Sequence, residues 1–317
     1  MILPESPRIA IVLPAYNEAQ TIVSCLADFH RVLPSAEIVV VDNNSNDGTG
    51  EAAARAMQLQ GIPGKVLVER RQGKANAVRR AFLTVDADIF IMADADLTYP
   101  PEELTTLLAP VLERQADMVV GDRHSSGFYA KENKRAFHGF GNGLVAWMVN
   151  FLFRANLVDI MSGYRVMTRQ FVQNYPCLVD GFELETDLTL YALNGRFRVM
   201  EIPICYRDRP EGSYSKLNTF ADGAKVVFAI AQILRYYKPI RFFGGIALLF
   251  FLAGLAAGMP VLADWFRERY IYHLPLAVLA TGLELVAVLS LAIGLILDSV
   301  AYQQRKDLER HLRKDIQ

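Results

Sequence analysis

Residues 88–104 read DIFIMADADLTYPPEEL, an apolar run that stops at two carboxylates, Asp94 and Asp96, and is followed by a Pro-Pro turn. Apolar residues at consecutive rather than alternate positions mark a strand covered on both faces, as in a parallel sheet. Outward from it, similar runs alternate with longer helical patterns: RIAIVLP at 8–14, EIVVVD at 37–42, KVLVE at 65–69, DMVVG at 117–121 and RVMEIPI at 198–204. Strands and helices in that alternation predict an α/β body with a mainly parallel, Rossmann-like sheet. In such sheets ligands bind beyond the carboxyl ends of the strands. The residues just after each strand are therefore the candidates: Pro14, Tyr16 and Glu18 after the first, Asp42 after the second, and Asp94 and Asp96 here. Two carboxylates so close repel each other unless a cation or proton sits between them. A divalent metal bridging to a diphosphate resolves that repulsion and neutralises a departing nucleotide. Alone, Asp-x-Asp is equally a solvated turn.

The chain of 317 residues changes character near Arg241. Residues 242–263 form 22 consecutive positions without a charge, and 274–297 form 24 with Glu284 as the one charge-bearing side chain. At about 1.5 Å per residue either run crosses a hydrocarbon core of about 30 Å. An ionised carboxylate near the middle of such a span costs about 2.5 kcal/mol or more, so Glu284 is expected to be paired inside a helix interface. Its expected partner is a hydroxyl, a backbone carbonyl or the same helix of a second subunit. Arg235, Lys238 and Arg241 precede the first span and Arg305, Lys306, Arg310, Arg313 and Lys314 follow the second, against Arg267 and Arg269 in the connecting loop. The positive-inside rule then puts the body and tail in the cytoplasm and the loop outside, and MILPESPR does not read as an export signal. Residues 219–240 carry Val226, Val227, Ile230, Ile233, Leu234 and Tyr237 at helical spacing, the pattern of a helix lying along a membrane surface. The expected organisation is an α/β body at 1–218, an interfacial amphipathic region at 219–241, a two-helix transmembrane hairpin at 242–297 and a cytoplasmic tail at 298–317.

Composition excludes several classes. Lys and Arg (33) nearly balance Asp and Glu (34), a net charge of −1 that gives no basis for electrostatic binding of nucleic acid. Three scattered cysteines, Cys25, Cys177 and Cys205, form neither a disulfide framework nor a zinc motif.

The segments LPAYNEAQTI, VVDNNSNDGT, GKANAVRRAF and MADADLTYPPEEL, in this order and spacing, resemble glycosyltransferase family 2, the inverting enzymes of GT-A fold. Asp159-Ile160-Met161-Ser162-Gly163-Tyr164-Arg165, followed by Arg209-Pro210-Glu211-Gly212-Ser213-Tyr214-Ser215-Lys216, resembles the branch containing dolichol-phosphate mannose synthase and bacterial polyprenyl-phosphate glycosyltransferases. The resemblance implies a membrane enzyme of the cell envelope, in the cytoplasmic (inner) membrane. It would transfer a hexose from a UDP- or GDP-sugar to a polyprenyl phosphate with inversion, and it would be a homo-oligomer, a tetramer being one option. It also implies roles. Pro14, Tyr16, Glu18 and Asp42 would hold base and ribose, and Lys74 would lie near donor charge. Asp94 and Asp96 would hold Mg²⁺ or Mn²⁺. Arg209, Ser215 and Lys216 would close over the diphosphate, with Arg209 and Lys216 stabilising leaving-group charge. Arg123 and Arg135 would grip the acceptor phosphate, with Lys131 and Lys134 nearby. Asp159 would orient donor or acceptor, with proton removal a secondary role; Glu185 and Asp187 are rival carboxylates. Relatives often carry Gln where this chain has Thr98. Trp147, Met148, Phe151 and Phe153, in the apolar stretch after the Lys131–Arg135 cations, would rest at headgroup level or fill the core.

Two other readings compete. Gln232-Ile233-Leu234-Arg235-Tyr236 resembles the Gln-x-x-Arg-Trp element of processive polysaccharide synthases, although Tyr replaces Trp and two spans do not readily enclose a polymer channel. A non-catalytic nucleotide-sugar-binding membrane protein would be expected to lack the intact set Asp94, Asp96, Arg209 and Lys216.

Overall fold

The strand-forming runs pair into one seven-stranded sheet in the order β3-β2-β1-β4-β6-β5-β7. The structure, a computed structural model, describes residues 6–125, 136–179, 184–207 and 231–314. The strands are β1 (Ile9–Ala15), β2 (Glu37–Asp42), β3 (Gly64–Val68), β4 (Ile89–Met92), β5 (Met118–Asp122), β6 (Arg165–Thr168) and β7 (Val199–Pro203). Val12 pairs in parallel with Val39 of β2 and Met92 of β4. Ile11 and Val12 of β1 and Ile38, Val39, Val40 and Val41 of β2 are buried whichever way they point, because helices cover both faces.

The helices of this body are α1 (Ile22–Val32), α2 (Thr49–Gln60), α3 (Lys74–Thr84), α4 (Leu104–Leu112), α5 (Ala136–Phe153), α6 (Arg169–Asn174) and α7 (Leu184–Asn194). In α1 the apolar stripe Ile22, Cys25, Leu26 and Phe29 turns into the core at helical spacing. Its partners there include Ile11, Leu13, Ile38 and Val40 of the sheet.

The run at 88–94 stops pairing at Met92, so Asp94 and Asp96 stand in the turn just beyond β4, as expected. One departure from the sequence expectation bears on the site: β6 is antiparallel to both β4 and β5. Its four residues, RVMT, begin at the last residue of the Asp159–Arg165 segment and were not among the strand-like runs. Because β6 runs backwards, the loop that precedes it, residues 159–164, arrives at the same sheet edge as the turn after β4.

The chain divides into two compact units, Met1–Thr219 with His311–Gln317, and Phe220–Arg310. In the second, α8 (Pro239–Glu268) and α9 (Leu274–Lys314) are 30 and 41 residues long, each long and apolar enough to cross a bilayer. Residues 231–237 are helical, and the first long helix begins at Pro239, ahead of the expected boundary; residues 219–230 of the expected interfacial helix lie outside the described residues. Leu248, Leu249, Leu252 and Leu255 of α8 and Leu285, Val288, Leu289 and Leu295 of α9 point outward. Small residues line the seam between the two helices. A Cβ added at Gly258 would lie 3.7 Å from that of Ala280, and one added at Gly254 would lie 2.7 Å from a carboxylate oxygen of Glu284. Glu284 thus sits against the neighbouring helix of its own chain, in the notch left by Gly254.

Candidate active site

Asp94 and Asp96 occupy a turn whose shape the sequence does not announce, with Leu97 held at φ 65°, in the left-handed region. That conformation lets Thr98 fold back on Asp96: its hydroxyl donates to Oδ1 at 2.5 Å and its N–H at 3.2 Å. Thr98, where relatives often carry Gln, therefore orients the second carboxylate. Asp96 is buried, whereas Asp94 is 28% exposed at its side chain.

Lys74, the first residue of α3, reaches across to this turn. Its ammonium lies 2.5 Å from Asp94 Oδ1 and 2.6 Å from Glu185 Oε1, the latter supplied by the first turn of α7. Burial works against the charge of Lys74, but Asp94 and then Glu185 outweigh it and hold the ammonium above its ordinary value. Gly163, in the loop before β6, is required here by close approach. A Cβ at this position would meet Lys74 Nζ at 2.9 Å and Asp94 Oδ2 at 3.2 Å. Its N–H donates to the hydroxyl of Tyr99 at 2.8 Å.

Beyond β1 and β2 the chain makes tight polar turns. Pro14 pairs within the sheet opposite Val41, and Tyr16 is partly exposed just past it. Glu18 accepts from the Thr21 hydroxyl at 3.0 Å, and its own N–H donates to Thr49. Asp42 Oδ1 accepts from Ser45 N at 3.1 Å, and a Cβ at Gly50 would come within 2.9 Å of Asp42 Oδ2, so α2 starts directly on this carboxylate.

A second ion pair lies at the end of β5. Arg123 binds Asp159 bidentately, Nε to Oδ2 at 2.7 Å and Nη2 to Oδ1 at 2.9 Å, while its backbone N–H also donates to Oδ2. Burial pushes the Asp159 carboxyl upward, and the hydrogen bonds and charge of Arg123 outweigh that to hold it below its ordinary value. His124 Nε2 is 3.7 Å away, and the Arg123 guanidinium stacks 5.6 Å from the Tyr206 ring centre. Glu201 fixes the loop from beneath, accepting from Val158 N and Asp159 N. With both oxygens engaged by one guanidinium, Asp159 acts as a clamp on Arg123, which was expected to grip the acceptor phosphate together with Arg135.

The structure therefore brings Lys74, Asp94, Asp96 and Glu185 together beyond the carboxyl end of β4, with Arg123 just past β5 and Asp159 in the loop before β6. Of the rival carboxylates, Asp187 accepts from the Tyr175 hydroxyl at 2.7 Å. Arg135, Arg209, Ser215, Lys216, Lys131 and Lys134 lie outside the described residues. On α5, Met148 is buried, but Trp147 and Phe151 are 62% and 65% exposed and stack on each other at 5.7 Å, so these two are not core.

Supporting residues escape the sequence reading. Asn43 donates to the carbonyls of Glu69 and Arg71 and accepts from Gly73 N, tying the ends of β2 and β3 to the start of α3. Arg165 is fully buried and donates to the carbonyls of Ile160 and Ser162 and to the Thr189 hydroxyl, fastening the loop before β6 to α7. The one signal for Arg165 is its place in an otherwise apolar strand.

Among the described residues no group of three or more metal-ligating side chains occurs. Asp94 and Asp96 nonetheless fit Mg²⁺ or Mn²⁺ on a nucleotide, since such cations take one or two carboxylates and complete their shell with phosphate oxygens and water.

A mostly parallel sheet with paired carboxylates beyond a central strand, and an antiparallel strand inserted beside it, defines a glycosyltransferase of GT-A fold. The sequence profile of glycosyl transferase family 2 matches residues 10–174, and the chain belongs to that family. It is 29% identical over 312 residues to glycosyltransferase AglJ of Haloferax volcanii, covering 97% of this chain and 98% of that protein. It is 31% identical over 226 residues to the dolichyl-phosphate hexose transferase of the same organism, covering 71% of this chain and 93% of the relative. Among solved structures, glucosyl-3-phosphoglycerate synthase from Mycobacterium tuberculosis, in complex with Mn²⁺, UDP and phosphoglyceric acid, superposes with a TM-score of 0.55. The two are 21% identical, with 72% of this chain and 78% of the other covered.

Proposed function

We propose that the protein transfers a hexose from a nucleotide sugar, UDP- or GDP-linked, to a polyprenyl phosphate at the cytoplasmic face of a membrane, with inversion at the anomeric carbon. The observation that carries the reading is the Asp94–Asp96 pair beyond β4, set beside the buried Lys74 ammonium. The polyprenyl-phosphate acceptor is supported by the relative named a dolichyl-phosphate hexose transferase. It is also supported by the exposed Trp147–Phe151 stack on α5, a pair suited to the headgroup level of a bilayer. The positive-inside bias of the flanks supports a cytoplasmic body.

In the proposed reaction a phosphate oxygen of the acceptor attacks the anomeric carbon from the face opposite the diphosphate. The new C–O bond forms as the old one breaks, and the electron pair leaves with the nucleoside diphosphate. A phosphate monoester has a second pKa of about 6 and is largely dianionic at neutral pH, so no side chain must remove a proton, which agrees with Asp159 being committed to Arg123. Arg123, held rigid by Asp159 and Glu201, presents its remaining surface to the acceptor phosphate. Mg²⁺ or Mn²⁺ on Asp94 and Asp96 would neutralise the leaving diphosphate. Pro14, Tyr16, Glu18 and Asp42 line the strand ends where base and ribose would lie, and Arg209, Ser215 and Lys216 are proposed to close over the diphosphate.

The test is a panel of UDP- and GDP-hexoses incubated with the full-length protein, undecaprenyl phosphate and Mn²⁺ or Mg²⁺, with lipid products read by mass spectrometry. One nucleotide sugar should give a lipid-phosphate hexose. A polymer, or hydrolysis alone with every donor, would overturn the reading.

A further inference from the structure

The Lys74 ammonium sits where a divalent cation would be expected to approach. It contacts Asp94 Oδ1 at 2.5 Å and Glu185 Oε1 at 2.6 Å, with side chains 13% exposed for Lys74 and 7% for Glu185 against 28% for Asp94. Asp94 is thus the accessible end of the triad and Glu185 the sheltered end. Gly163 closes the flank, since even a methyl group there would strike Nζ at 2.9 Å. The ammonium bridges the two carboxylates and can yield along the line from Asp94 to Glu185. Charge points the same way: one ammonium among Asp94, Asp96 and Glu185 leaves two negative charges, which one divalent cation cancels. The first turn of α7 stabilises the Glu185 carboxylate independently of Lys74.

We propose that Lys74 holds the cation's place on Asp94 in the unliganded site, and that Glu185 is the positioning residue that retains the ammonium when the cation arrives. This rests on the reading that Asp94 binds the metal. Glu185 then acts only through Lys74. Without Glu185 the ammonium has Asp94 as its remaining partner in the triad and competes harder with the metal; without Lys74 there is nothing for Glu185 to retain.

The test is Mn²⁺ binding to the full-length protein in detergent without nucleotide, followed by the paramagnetic resonance signal of free Mn²⁺. Glu185→Gln should weaken binding by about tenfold and Lys74→Met should tighten it by about tenfold, the scale of one nearby charge in a partly screened site. The Glu185→Gln loss should largely vanish in the Lys74→Met background, and Glu185→Asp should restore part of it, as expected for residues acting through one contact. Equal Glu185→Gln losses in both backgrounds, or weaker binding in both single variants, would overturn the inference while leaving the metal reading intact. If the wild type and Asp96→Asn alike fail to bind Mn²⁺, the metal reading falls and the inference with it.

Discussion

Asp96 receives both the hydroxyl and the N–H of Thr98 on a single oxygen, a geometry that an asparagine in its place can keep while losing the charge. Asp96→Asn is therefore expected to lower transfer by about a hundredfold or more, the scale of losing one group matched to developing charge, with the thermal unfolding temperature unchanged. A radiolabelled-donor assay beside a melting curve checks both halves, and excess EDTA should silence the wild type. The Asp159–Arg123 pair makes a different prediction. The folded carboxyl lies below its ordinary value of 3.8, so the stability it contributes is complete above that pH and is lost as pH falls through the folded value. Asp159→Asn should cost about 3 kcal/mol at pH 7, the usual scale for breaking a buried pair. It should also flatten the acid limb, so that the gap between wild type and variant narrows in melting curves taken toward pH 3. Asp94 and Asp96 were legible in the sequence because strand ends fix where side chains gather, and Lys74 came to notice only through the family resemblance. Arg165 and Asn43 were not, because their role is to satisfy backbone groups from segments far away in the chain, and no local pattern encodes that.

At the scale of elements, the helical seam of α8 and α9 depends on small residues meeting in register. The Cβ positions of residues 258 and 280 are 3.7 Å apart, within the range of a disulfide. Gly258→Cys with Ala280→Cys, in a chain whose exposed Cys205 is replaced by Ser, should form an intramolecular disulfide under mild oxidation, read as a mobility shift reversed by reductant. Failure to cross-link would mean a different helix register. Glu284 was expected to have a hydroxyl, a backbone carbonyl or a second subunit as its partner; within the chain its carboxylate lies against Gly254 of α8. Long apolar runs, the second interrupted only by Glu284, made both long helices plain in the sequence. The strand β6 was hidden because four residues carry little periodicity and it opens on a charged residue, Arg165.

For the whole molecule, the distribution of basic residues makes the strongest forecast. A cysteine introduced at Ile271, in the exposed turn between α8 and α9, should react with a membrane-impermeant maleimide on intact cells, while Cys205 of the body should react only after permeabilisation. The reverse pattern would invert the proposed topology. The α/β class and the C-terminal spans followed from composition and periodicity, but the strand order did not, because the pairing of β5 depends on segments much later in the chain. That order bears on how the protein is made. The sheet neighbours of β5 are β6 and β7, both translated after it. As the polypeptide leaves the ribosome, β1 to β4 can assemble at once, but β5 must wait, and until residue 168 emerges β4 carries a bare hydrogen-bonding edge of the kind that invites mispairing. The backward strand that brings the 159–164 loop to the end of β4 is also the last piece needed to seal the centre of the nascent sheet.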